Sequence, residues 1–263
     1  MGPQQGFSLA SVVLSYFLVG GGMFTAMLIA GFAGIADEVA VYLMMAGGAF
    51  IGGVVAGRAS RADTVLEPAI GAVAVIATIV VLAAATDVGK LVWHVNPEGT
   101  LKLVGLVGGV AAGGALAGAW LSERLLGEST TSPGPWVAYS ALSTFGACLL
   151  ATVIGGVVIA SASIASTSGR DAAGLAMLVG IGTGCLISGI AIGASARRRV
   201  LVAALAGGIL GTAAFTYLLT RGVPGKGGAD GLAITGVFAG GGGLLTLIGT
   251  AIGWATVGKK YAG

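Results

Sequence analysis

Residues Ala46 to Arg61 read AGGAFIGGVVAGRASR, an apolar run with glycines at four-residue spacing (Gly48, Gly52 or Gly53, Gly57) that stops at Arg58 and Arg61. Residues four apart share a helix face, so this spacing predicts a helix with a stripe of small residues. Such a stripe lets a neighbouring backbone come close within a membrane, and the arginines mark where the helix meets a lipid surface. The pattern returns 136 residues later in VGIGTGCLISGIAIGASARRR, with Gly184, Ser188, Gly189, Gly193 and Arg197 at the matching positions and Arg198 and Arg199 extending the basic end.

Composition agrees. Charged residues make up 9% of the chain, against an average of about 25%. Apolar residues make up 56% and glycine is 50 of 263, without the every-third-residue period of collagen. A soluble domain of this length would need more charge to cover its surface. Several runs of about 20 residues carry almost no charge, enough to cross roughly 30 Å of hydrocarbon.

The expected fold is all-α and polytopic, with about eight membrane helices. They are Ser8–Gly34, Val39–Gly57, Thr64–Ala85, Thr100–Leu121, Val137–Ser163, Ala172–Ala194, Val200–Leu219 and Gly231–Val257. Gly20, Gly21 and Gly22 near the middle of the first run mark a close approach or a kink. Residues 86–99 read as the longest connection of the first half, with Trp93 at headgroup level and Asn96-Pro97 as a turn. Residues 126–136, rich in Ser, Thr, Pro and Gly, form a linker between four-helix units at 1–125 and 137–263.

A tandem duplication is expected from matches between the halves. At an offset of 136, Gly20 meets Gly156, Gly53 meets Gly189, Gly57 meets Gly193 and Gly71 meets Gly207. At an offset of 134, Gly108 meets Gly242 and Trp120 meets Trp254. With the N-terminus inside, inner segments hold eight basic residues and outer loops five, which places both termini inside. Four spans per unit make the repeats parallel.

Chemistry-bearing residues are few. Glu67 is the one acid well inside an apolar run. It reads either as a helix cap with Thr64 or as an ion or proton site, and Ala203 stands at its matching position. The single histidine, His94, has no nearby metal-ligating neighbours in sequence. Cys148 and Cys185 lie inside spans and read as small packing residues. Arg58, Arg61, Arg197, Arg198 and Arg199 are candidate lipid-headgroup contacts as well as topology determinants. The net charge of +3 comes without a basic stripe carrying interleaved aromatics, so no nucleic-acid partner is expected. Gly225-Lys226-Gly227 lacks the spacing of a phosphate loop, and no metalloprotease or nucleophile-elbow motif occurs. No cofactor, metal or catalytic site is expected.

The residues Gly48, Gly52, Gly53, Gly57, Gly184, Ser188, Gly189 and Gly193 are the expected sites of helix packing. The leading functional expectation is a non-enzymatic membrane scaffold or subunit that packs against itself or other membrane subunits through glycine-rich faces. The alternative is a channel or transporter for a small neutral or weakly polar solute, lined by Ser143, Thr144, Thr152, Thr183 and Ser188. A prokaryotic inner (plasma) membrane is the expected location.

Overall fold

The structure is a computed structural model that describes residues 7–59, 66–126, 134–165, 169–196, 200–222 and 229–257. Among them lie nine helices and no strand: α1 (Leu9–Phe32), α2 (Glu38–Ala59), α3 (Leu66–Ala85), α4 (Asp87–Val95), α5 (Pro97–Leu126), α6 (Gly134–Ala165), α7 (Gly169–Ser195), α8 (Leu201–Gly222) and α9 (Ala229–Thr256). All but α4 are long and apolar enough to cross a membrane. Thr64, Arg61, Arg197, Arg198, Arg199, most of the 126–136 linker and Gly225-Lys226-Gly227 lie outside the described residues.

Local chemistry sets the helix ends. Ser8 caps α1, its hydroxyl accepting the Ser11 N–H at 3.4 Å. At the other end Gly34, at φ +67, takes the left-handed turn that lets the Ile35 N–H reach back to the Ala30 carbonyl at 2.9 Å. The triple glycine does not break α1, which runs through it as one helix. Asp37 accepts the Ala40 N–H at 2.8 Å and starts α2.

The 86–99 connection contains a helix rather than an open loop. Thr86 accepts the Gly89 N–H at 3.1 Å and begins α4, and Asn96 accepts the Gly99 N–H at 2.9 Å and begins α5. Asn96-Pro97 is therefore a cap followed by a first helical residue, not a turn. Val88 of α4 donates its N–H to Ser161 Oγ of α6 at 3.3 Å, tying this end of the first half to the second.

Packing inverts the habit of a soluble protein. Small side chains such as Ala49, Ala56, Ala72 and Ala115 are fully buried, while Leu43, Val202 and Val237 are largely exposed. Large apolar groups on the outside suit a hydrocarbon solvent, and small ones inside allow the backbones to approach.

In the first half α1 packs against α2 and α3, and α5 closes the ring against the same two helices. In the second half α6 packs against α7 and α8, and α9 closes against those two. The halves meet chiefly where α1 lies against α6 and α7.

Candidate functional site

The small residues of α2 serve two neighbours, not one. A methyl group on Gly48 would fall on the Gly22 carbonyl, and one on Gly52 would lie 2.6 Å from the Leu18 carbonyl, so this pair faces α1. A methyl on Gly53 would fall on the Ala115 carbonyl of α5, and one on Gly57 would lie 3.3 Å from Ala119 Cα. The single stripe in the sequence is thus two stripes side by side, each admitting a different helix.

The second half has the same division. Gly184 lies against the Ala147 carbonyl of α6, at 3.2 Å from an added methyl, and Ser188 hydrogen-bonds Ser143 of α6 at 2.8 Å. Gly189 and Gly193 lie against the Thr246 and Thr250 carbonyls of α9. Between the halves, Gly21 of α1 and Gly146 of α6 pack backbone on backbone, a methyl on Gly21 lying 2.6 Å from Gly146 Cα.

Of the hydroxyls considered as a solute lining, Ser143 and Ser188 are buried and bonded to each other. Thr144 is buried 3.4 Å from Thr246 Oγ1. Thr152 donates to the Cys148 carbonyl and Thr183 to the Gly180 carbonyl. Thr183 stands on the exposed side of α7.

Glu67 is fully buried in the first turn of α3. Its carboxylate accepts the Ser8 N–H of α1 at 3.3 Å, so it reaches the start of a neighbouring helix. Sequence could not show this contact, because the two residues are 59 apart. His94 is exposed, with Nδ1 2.9 Å from the Lys90 carbonyl. Cys148 and Cys185 are buried with their sulfurs 3.5 Å apart. Among the described residues no three His, Cys, Asp or Glu side chains converge as a metal site would require.

The outer surface carries two further features. One is a pair of apolar grooves flanking the α1–α6 contact. The first, of about 390 Å³, is lined by Gly21 and Thr25 of α1, Gly47, Ile51 and Val55 of α2, and Phe145 of α6. The second, of about 350 Å³, is lined by Phe17 of α1, Leu150 and Ile154 of α6, and Gly180, Thr183 and Ile187 of α7. The other feature is a small-residue stripe on the outside of α5: Gly105, Gly109, Gly113 and Ala117 are all exposed. A methyl added at any of its three glycines would meet nothing within 4 Å.

Comparison with protein-family models, curated proteins and solved structures finds no match.

Proposed function

We propose that the protein is a non-enzymatic membrane scaffold or subunit that associates through the outer face of α5. The observation that carries this reading is the Gly105–Gly109–Gly113–Ala117 stripe, exposed and unpacked in the single chain. Without a hydrophobic force between helices in lipid, association depends on close van der Waals contact, and a small residue every four positions permits it. A glycine stripe facing hydrocarbon leaves those contacts unmade until another helix arrives. A second copy of the chain satisfies both sides at once in an isologous contact. The α9 helix carries open glycines as well, at Gly236, Gly240 and Gly241, which offers a second outer surface for another subunit.

The scaffold reading also accommodates the interior. Ser143, Ser188 and Thr144 are used in helix-to-helix contacts, and Thr152 and Thr183 donate to their own backbone. Hydroxyls engaged in these contacts support a packed interior over a solute path.

The duplication belongs to the same proposal. The contacts Gly48–Gly22, Gly52–Leu18, Gly53–Ala115 and Gly71–Ser15 recur as Gly184–Ala147, Ser188–Ser143, Gly189–Thr246 and Gly207–Ser140. In this correspondence α2 and α3 match α7 and α8 at the expected offset of 136. The outer pairs shift: α1 matches α6 at 125, and α5 matches α9 at 131. The 11-residue change for α1 is about three helical turns and preserves its inward face. Under this register Gly21 and Gly146 are equivalent and touch each other, as residues on a two-fold axis do. The units are then parallel repeats about an axis along the membrane normal, with both termini inside a prokaryotic plasma membrane.

The test is co-purification of two differently tagged copies from one membrane. The wild type should be recovered as a mixed complex, and Gly109→Leu should abolish it without loss of the folded chain. Persistence of the complex in Gly109→Leu removes the α5 face from the account.

A further inference from the structure

We infer that Cys148 and Cys185 form a dithiol–disulfide site that joins α6 to α7, closed by an apolar two-electron oxidant from the membrane phase. The chain carries two cysteines. They are 37 residues apart, on different helices, and the fold sets their sulfurs 3.5 Å from each other. Both side chains are buried. Cys148 is the central residue of the apolar span Pro135–Ser161, and Cys185 lies near the middle of Met177–Ser195.

The helix seam holds the pair at bonding range. One residue before each cysteine, Gly184 rests on Ala147, an added methyl lying 3.2 Å from the Ala147 carbonyl. Farther along the same seam Ser143 and Ser188 hydrogen-bond at 2.8 Å. The sulfurs need to close by only about 1.5 Å to reach a bond of about 2.05 Å, a change that side-chain rotation supplies. Packing alone does not call for two thiols here. Under the proposed register of the halves, Met23 and Ala49 occupy this level in the first half, both buried in its core. Among the described residues no third His, Cys, Asp or Glu joins the cysteines, so the set falls short of a three- or four-ligand metal site.

In the reaction both S–H bonds break, one S–S bond forms, and two electrons and two protons pass to the oxidant. Position selects the class of that oxidant. An apolar two-electron acceptor dissolves in the hydrocarbon around the spans. A charged, water-soluble disulfide such as oxidised glutathione would have to leave water to reach the middle of α6 and α7, at the cost of burying its charge in the membrane.

The experiment treats the folded full chain in lipid vesicles either with molecular iodine, an apolar oxidant that takes up the two electrons as two iodides, or with oxidised glutathione. The chain is then unfolded, its free thiols are counted with a maleimide, and a digest is searched by mass spectrometry for the linked peptides. Iodine should remove both thiols and yield the Cys148–Cys185 linkage within one chain, at least roughly tenfold faster than oxidised glutathione does. It should also raise the thermal midpoint of the wild type and leave that of Cys148→Ser unchanged, since a cross-link constrains the unfolded chain. Both thiols surviving an iodine exposure that oxidises the unfolded chain would overturn the proposal. So would disulfides formed between chains instead of within one, or oxidation by glutathione disulfide as fast as by iodine.

Discussion

The α1–α2 and α6–α7 contacts solve one problem with different chemistry. In the first, Gly52 lets α2 rest on the Leu18 backbone with no polar group involved. In the second, the corresponding site holds Ser188, which bonds to Ser143 at 2.8 Å. The neighbouring level differs in the same sense, with Gly48 on Gly22 in one half and Gly184 on Ala147 in the other. Close approach without side chains and slightly wider spacing with a hydroxyl bridge are alternative ways to join helices when lipid offers no hydrophobic drive.

The largest effects should come where both halves use the same device. Gly53→Leu and Gly189→Leu each force a side chain onto a backbone carbonyl, of Ala115 and Thr246 respectively. Backbone cannot rotate away as a side chain can, so overpacking should cost at least the usual 1–3 kcal/mol or so. Size-exclusion chromatography should show loss of the monodisperse species in both variants. A tolerated Gly189→Leu beside a disruptive Gly53→Leu would break the proposed equivalence of the halves.

Next in size is an asymmetric pair. Glu67 caps the start of α1 through the Ser8 N–H, while Ala203 stands at the matching position of the second half. Glu67→Ala should therefore lower stability by about 0.5–2 kcal/mol, the range for losing a cap. Thermal unfolding in detergent reads this, and an unchanged midpoint would show that the carboxylate stabilises nothing.

A smaller effect separates the two chemistries directly. Ser143→Ala and Ser188→Ala, singly and together, should give a coupling energy of about 0.6 kcal/mol, typical of hydrogen bonds between membrane helices. Gly52→Ser should be worse than either, because its Cβ has only 2.6 Å to the Leu18 carbonyl. If Gly52→Ser is harmless, the first contact is looser than its geometry states.

Much of this architecture is legible in the sequence, because hydrophobic length and missing charge are properties of the chain itself. The eight long helices and the small residues at Gly48, Gly53, Gly189 and Gly193 belong to that class. Other features depend on partners distant in sequence. Nothing in AGGAFIGGVVAGR says that Gly52 faces α1 and Gly53 faces α5, since adjacent residues on a helix point about 100° apart and both neighbours are remote. The α4 helix was hidden by its nine residues and its glycine, too short for a periodic signal. The exposed stripe on α5 looks like the buried ones in sequence, because both consist of glycines four apart. Only the packing shows which stripe is already used.

That unused stripe carries the central claim, and counting subunits tests it most directly. Fluorescently labelled protein, reconstituted at low density in supported bilayers, can be read by single-molecule photobleaching. The account predicts two or more bleaching steps per spot for the wild type and single steps for Gly109→Leu, with equal thermal stability of the two chains. Single steps for the wild type, or the same multi-step distribution for both proteins, would contradict it.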